Sequence, residues 1–98
     1  MADRTRYLLA YDVRHPRRLR RVHRLASDYG EPLQYSVFVC DLTGVELITL
    51  RQKLLEEIKA TEDSIGIFDL GAPTTRGVEC IEFLGVRREL PSDDPAIW

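Results

Sequence analysis

The chain predicts an α+β fold, and three observations predict it. Two stretches, 5–13 and 33–41, alternate in the manner of strands. Two others, 16–29 and 43–60, carry apolar residues at helical spacing. Short turns, with no linker, repeat or low-complexity segment, separate them.

The first strand, Thr5 to Val13, places Tyr7, Leu9 and Tyr11 on one face and Leu8, Ala10 and Asp12 on the other. Both faces are largely apolar, so both are expected to be covered. His15-Pro16 opens a helix, with proline suited to its first position. Leu19, Val22, Leu25, Ala26 and Tyr29 form its apolar stripe, arginines take the remaining surface, and Gly30 stops it. In 33–41, Leu33, Tyr35, Val37 and Val39 share a face, and Gln34, Ser36, Phe38 and Cys40 share the other. Leu47, Leu50, Leu54 and Ile58 are the buried stripe of the helix 43–60. Residues 64–70 read as a strand, Gly71-Ala72-Pro73 as a turn and 77–84 as a further strand. A polar tail runs from Arg87 to Pro95 and ends in Ala96-Ile97-Trp98. The order read directly is therefore β-α-β-α-β-β. A ferredoxin-like order needs a hairpin between two βα units. A break near Gln34-Tyr35-Ser36 would supply it by splitting 31–41 into paired pieces, and propensity alone does not choose between one strand and two.

The 98 residues are one domain's worth of chain, 44% hydrophobic and 31% charged, which is globular rather than disordered. So small a core leaves a thin stability margin and favours a dimer. The formal net charge of −2 is unevenly spread. Residues 1–45 hold eight arginines against five acids, while 46–98 hold six bases against eleven acids. A basic face can thus exist on an acidic protein, and local potential governs phosphate binding. Cys40 and Cys80 have no Cys-x-x-Cys or Cys-His spacing, which excludes a zinc site visible in sequence. Buried free thiols in a reducing compartment are the expectation. With no signal-peptide core and no apolar run of membrane-spanning length, a cytoplasmic location away from membranes is expected.

Two features carry chemistry. Asp12 ends the first strand, and a carboxylate is a hard oxygen ligand suited to Mg²⁺. One such residue is a weak site, but a two-fold dimer would bring two copies to one axis. The plainer reading is an acid that ends a strand and caps a turn. Between Arg14 and Arg24 lie six arginines and no acid. Guanidinium forks suit phosphate oxygens. A merely solvated helix face would mix signs, and this one does not. His15 and His23, eight residues apart, would stand about 12 Å from each other on a helix, too far for joint work on one phosphate. Ser36 lacks a nucleophile turn, Phe38 suits a core better than a stacking platform, and no glycine-rich phosphate loop is present.

Tyr11-Asp12-Val13, the arginine-rich segment after it, Tyr29-Gly30 and Gln34-Tyr35-Ser36-Val37-Phe38 together resemble the CRISPR-associated Cas-two family over residues 5 to 84. The resemblance implies a ferredoxin-like βαββαβ sandwich, a single domain over 1–98. It implies a homodimer with sheets face to face, and an extra C-terminal strand in the tail 85–98 that reaches the partner's sheet. It implies a spacer-adaptation subunit that binds double-stranded DNA or RNA, bridges dimers of the Cas-one integrase and acts as an endonuclease with Mg²⁺ or Mn²⁺. Asp12 would be the catalytic and metal-binding residue, and Arg14, Arg17, Arg18 and Arg21 would contact nucleic acid. Glu31-Pro32-Leu33 stands where family members often carry a basic residue. Two other readings remain at this point. One is an architectural DNA-binding adaptor without catalysis, favoured by one carboxylate per chain. The other is a ferredoxin-like regulatory domain, which would have no use for the arginines.

Overall fold

The computed structural model describes residues 3–86 and Leu90. Its elements run β1 (Thr5–Asp12), α1 (Pro16–Tyr29), β2 (Glu31–Gln34), β3 (Val37–Leu42), α2 (Gly44–Glu57), β4 (Ser64–Gly71) and a single turn of helix, α3 (Arg76–Glu79). The four strands form one sheet in the order β2-β3-β1-β4, and every neighbouring pair is antiparallel. This is the ferredoxin-like βαββαβ order.

Register decides which residues reach the core. Leu9 lies opposite Phe38 and Ile67, and Tyr11 opposite Ile65. These side chains meet Val22 and Ala26 of α1 and Leu50 and Leu54 of α2, so both helices cover one face of the sheet. The other face carries Leu8, Ala10 and Asp12, which lie opposite Phe68, Gly66 and Ser64. Phe68 is half exposed there. At the far end of that face Arg6 is 1% exposed. Its Nε and second guanidinium nitrogen bind the two Asp41 carboxylate oxygens at 2.8 and 2.9 Å, a fork that satisfies both charges.

The helix ends follow local chemistry. His15 caps α1, its Nδ1 accepting from the Arg17 N–H at 3.1 Å. Thr43 and Glu46 close a reciprocal capping box at the start of α2. Gly30 ends α1 in an extended conformation, so its role is space rather than handedness. A Cβ there would fall 2.3 Å from the Val39 carbonyl oxygen and 2.5 Å from the Cys40 sulfur.

The alternative left open over 31–41 resolves as two strands, Glu31–Gln34 and Val37–Leu42, joined at Tyr35-Ser36, which supplies the hairpin that the ferredoxin-like order needs. The strand expected over 77–84 is not formed. Gly71, with φ of 87°, turns the chain out of β4, and the Ala72 carbonyl accepts from both Thr75 and Gly77 N–H. The backbone groups close a local turn, and the Gly77 carbonyl is held at 3.2 Å by Arg6. Cys40 is buried as expected and its thiol is pushed up to about 12, first by burial, whereas Cys80 is only half buried. Ala96-Ile97-Trp98, the expected partner-pairing strand, lies outside the described residues.

Candidate functional site

Asp12 occupies the last rung of β1, opposite Ser64. Beyond it the chain leaves the sheet, because the Arg14 N–H is caught by a carboxylate oxygen of Asp63 at 3.0 Å. Asp12 stays open, its side chain 68% exposed, with a guanidinium nitrogen of Arg14 3.5 Å from Oδ2. No group of three metal-ligating side chains forms among the described residues. One carboxylate still fits Mg²⁺, which takes one or two carboxylates and completes its octahedron with waters and substrate phosphates. Asp12 would hold it, and a single chain does not build a closed cage.

Helix α1 divides the arginines among three directions. Arg18 turns inward: its Nε bonds Asp63 at 2.7 Å, and a second nitrogen reaches Asp63 at 3.2 Å and Glu62 at 3.1 Å. The Asp63 side chain is fully enclosed and also accepts from the Lys59 N–H at 2.8 Å. Arg18, with the two backbone donors, holds this carboxyl well below the usual carboxylate range. Arg21 leans toward α2, where Glu57 stands 3.7 Å away, a loose and exposed pair of small worth. Arg17 is exposed on the crest of the helix, in no ion pair among the described residues. The structure thus leaves Arg14, Arg17 and Arg21 exposed, with Arg14 alone of the three beside Asp12, and it gives Arg18 a structural partner.

The opposite flank of α1 forms a groove of about 540 Å³ that the sequence did not reveal. It is lined by Tyr11, Leu19, Arg20, His23, Arg24, Ser27, Asp28 and Tyr35. The Tyr11 hydroxyl and His23 Nδ1 share a hydrogen bond of 3.0 Å. The His23 ring stands edge-on to Phe38, 5.3 Å between centroids. Burial, then the neighbouring Tyr35, raises the Tyr11 pKa. Tyr35, at the tip of the β2–β3 hairpin, is 80% exposed. The alternation of β1 already sends Tyr11 toward the helices, and His23 borders the α1 stripe. Their meeting was therefore legible in principle, but the part played by Tyr35 depends on the hairpin.

The family model for CRISPR associated protein Cas2 matches residues 5–77. A CRISPR-associated endoribonuclease Cas2 of Thermodesulfovibrio yellowstonii is 41% identical over 64 residues, which are 65% of this chain and 70% of the relative. A CRISPR-associated endonuclease Cas2 of Halalkalibacterium halodurans is 32% identical over 96 residues, 93% of this chain and 97% of the relative. The crystal structure of Streptococcus pyogenes Cas2 at pH 6.5 superposes with a TM-score of 0.72 at 35% identity, covering 82% of this chain and 99% of that one.

Proposed function

The chain belongs to the Cas2 family of CRISPR-associated proteins, and from that membership we propose that it is a metal-dependent nuclease acting on double-stranded DNA or RNA as a homodimer. The observation that carries the proposal is the exposed Asp12 carboxylate at the strand end, with Arg14 beside it and Arg17 and Arg21 exposed on the adjoining helix. Asp12 lies on the helix-free face of the sheet, the face that also presents the half-exposed Phe68. Two sheets meeting there about a two-fold axis would bring both Asp12 residues toward one another, an isologous contact. When bound, Mg²⁺ or Mn²⁺ supplies a Lewis acid that polarises a phosphoryl oxygen and acidifies a water. The chain's own part is to present carboxylate charge to the cation through Asp12. Arg14, Arg17 and Arg21 position the phosphodiester backbone by charge-assisted hydrogen bonds.

The test is cleavage of duplex DNA and of RNA with Mg²⁺ or Mn²⁺ present. Asp12→Asn, which keeps the shape and removes the charge, is expected to abolish cleavage while light scattering still reports about twice 11.3 kDa. Full activity in the purified variant would defeat the assignment of Asp12. A specific observation favours a second reading, an architectural subunit that bridges dimers of the Cas-one integrase without cutting: no group of three metal-ligating side chains forms among the described residues of one chain. Wild-type protein that binds duplex but does not cut it under any of these conditions would establish that reading instead.

A further inference from the structure

We propose that the groove between α1 and the β2–β3 hairpin is a subsite for one unpaired nucleotide, its base on Tyr35 and its phosphate on Arg20 and Arg24. This deepens the nucleic-acid reading and rests on it, but it concerns a different surface from the Asp12 end of the helix. Three observations carry it.

The first is shape. A groove of about 540 Å³ is within the range that small-molecule sites occupy and is large enough for a nucleotide. The second is chemistry in the right order along the groove. Tyr35 is 80% exposed, and an aromatic ring left so open at a hairpin tip is a stacking surface that accepts any base. Arg20 and Arg24 lie one helical turn apart on the same wall, neither in an ion pair among the described residues. Asp28, one turn beyond Arg24, also lines the groove. It limits the positive potential to the Arg20 end and offers an acceptor to a base amino group or a sugar hydroxyl. The third is rigidity of the floor. The Tyr11–His23 hydrogen bond and the packing of His23 on Phe38 fix the two rings below the groove. Ser27 donates its hydroxyl proton to the His23 carbonyl at 2.9 Å, which leaves its oxygen lone pairs to the site. A floor so fixed gives up little conformational entropy when a ligand arrives.

The experiment is a ¹H–¹⁵N and aromatic NMR titration of the full chain with adenosine monophosphate, adenosine and inorganic phosphate in parallel. The monophosphate is expected to bind saturably and to shift the Tyr35 and His23 ring signals. Tyr35→Ala, a change at an exposed position that the fold tolerates, is expected to weaken its binding by roughly tenfold or more, the measure of one base stacked on an aromatic ring. Arg20→Gln with Arg24→Gln should weaken the monophosphate and leave adenosine unchanged. A second arm separates two sources of the nucleotide. Duplexes with single-stranded 3′ overhangs should lose affinity in Tyr35→Ala while blunt duplexes do not if the site takes a strand end. Loss for the monophosphate alone would make the ligand a free nucleotide. Phosphate binding as well as the monophosphate, or monophosphate shifts that leave Tyr35 and His23 unmoved, would overturn the subsite. So would the absence of saturable binding. None of these failures touches duplex binding at Arg14, Arg17 and Arg21, so they leave the nuclease reading standing and separately testable.

Discussion

Single residues here divide between open and enclosed, and Asp12 and Asp63 mark the two ends. Asp12 is exposed with one loose partner, while Asp63 is enclosed and accepts from Arg18, Arg14 N–H and Lys59 N–H. The folded-state pKa of Asp63 lies below its ordinary value of 3.8, with the Arg18 hydrogen bonds the largest cause. The group therefore stabilises the fold fully above the ordinary value, and that contribution drains away as pH falls through the lowered one. Glu62, lowered chiefly by Lys59, and Glu46, lowered chiefly by the Thr43 backbone, act in the same direction. Asp63→Asn is therefore expected to lower the melting temperature clearly at pH 7, with the gap to wild type constant above about pH 5 and closing below about pH 4. Thermal melts of both proteins from neutral pH into strong acid measure it. A gap that does not narrow in acid would mean that the carboxylate charge is not what holds the three segments. Asp12 was legible because a strand ending in an acid shows in the order of residues. Asp63 was not, because its donors come from positions up to 49 residues away.

Elements in this chain are set by their ends. The capping box at α2 is local and complete, with Thr43 accepting from Glu46 N–H at 3.2 Å and Glu46 accepting from Thr43 N–H at 2.9 Å. Thr43→Ala is expected to cost about 1 kcal/mol in urea unfolding with an unchanged slope. The cap, the α1 stripe and the proline start were all readable, because each rests on residues within one or two turns. The hairpin was legible only as one of two alternatives, since Tyr35-Ser36 lacks the Asn-Gly or Asp-Gly signal of a tight turn. The strand expected over 77–84 rested on an apolar run that includes Val78, Cys80, Ile81 and Phe83. Such a run does not reveal that Gly71 has already turned the chain away or that Arg6 has claimed the Gly77 carbonyl. Both features depend on backbone hydrogen bonds whose partners are distant or on a glycine dihedral.

At the scale of the molecule, charge is sorted by direction. The acid-free run Arg14 to Arg24 is not one basic face: Arg18 serves the fold, Arg20 and Arg24 line the groove, Arg14 stands beside Asp12, Arg17 is exposed, and Arg21 leans toward Glu57. Replacing Arg14, Arg17 and Arg21 by Ala is expected to weaken duplex binding on all sequences alike. Every phosphate that goes unneutralised lowers the log–log salt slope by roughly 0.9, about five units at most for a dimer with three arginines removed from each chain. Salt titration of binding measures it, and identical slopes would place the duplex elsewhere. Arg18→Ala should instead act on stability, so a loss of binding in that variant would track unfolding.

The knot at Asp63 also has a kinetic meaning. Its carboxylate joins the β1–α1 turn, α1 and the end of α2, and it cannot be satisfied until the two halves of the chain have come together. Contacts of such sequence separation are expensive to close early. The expected signature is a low φ-value: Asp63→Asn should speed unfolding several-fold and leave the refolding rate nearly unchanged, as stopped-flow chevrons would record. Asp63 would then set how long the protein stays folded rather than how quickly it gets there. If refolding slows instead, the knot is part of the nucleus.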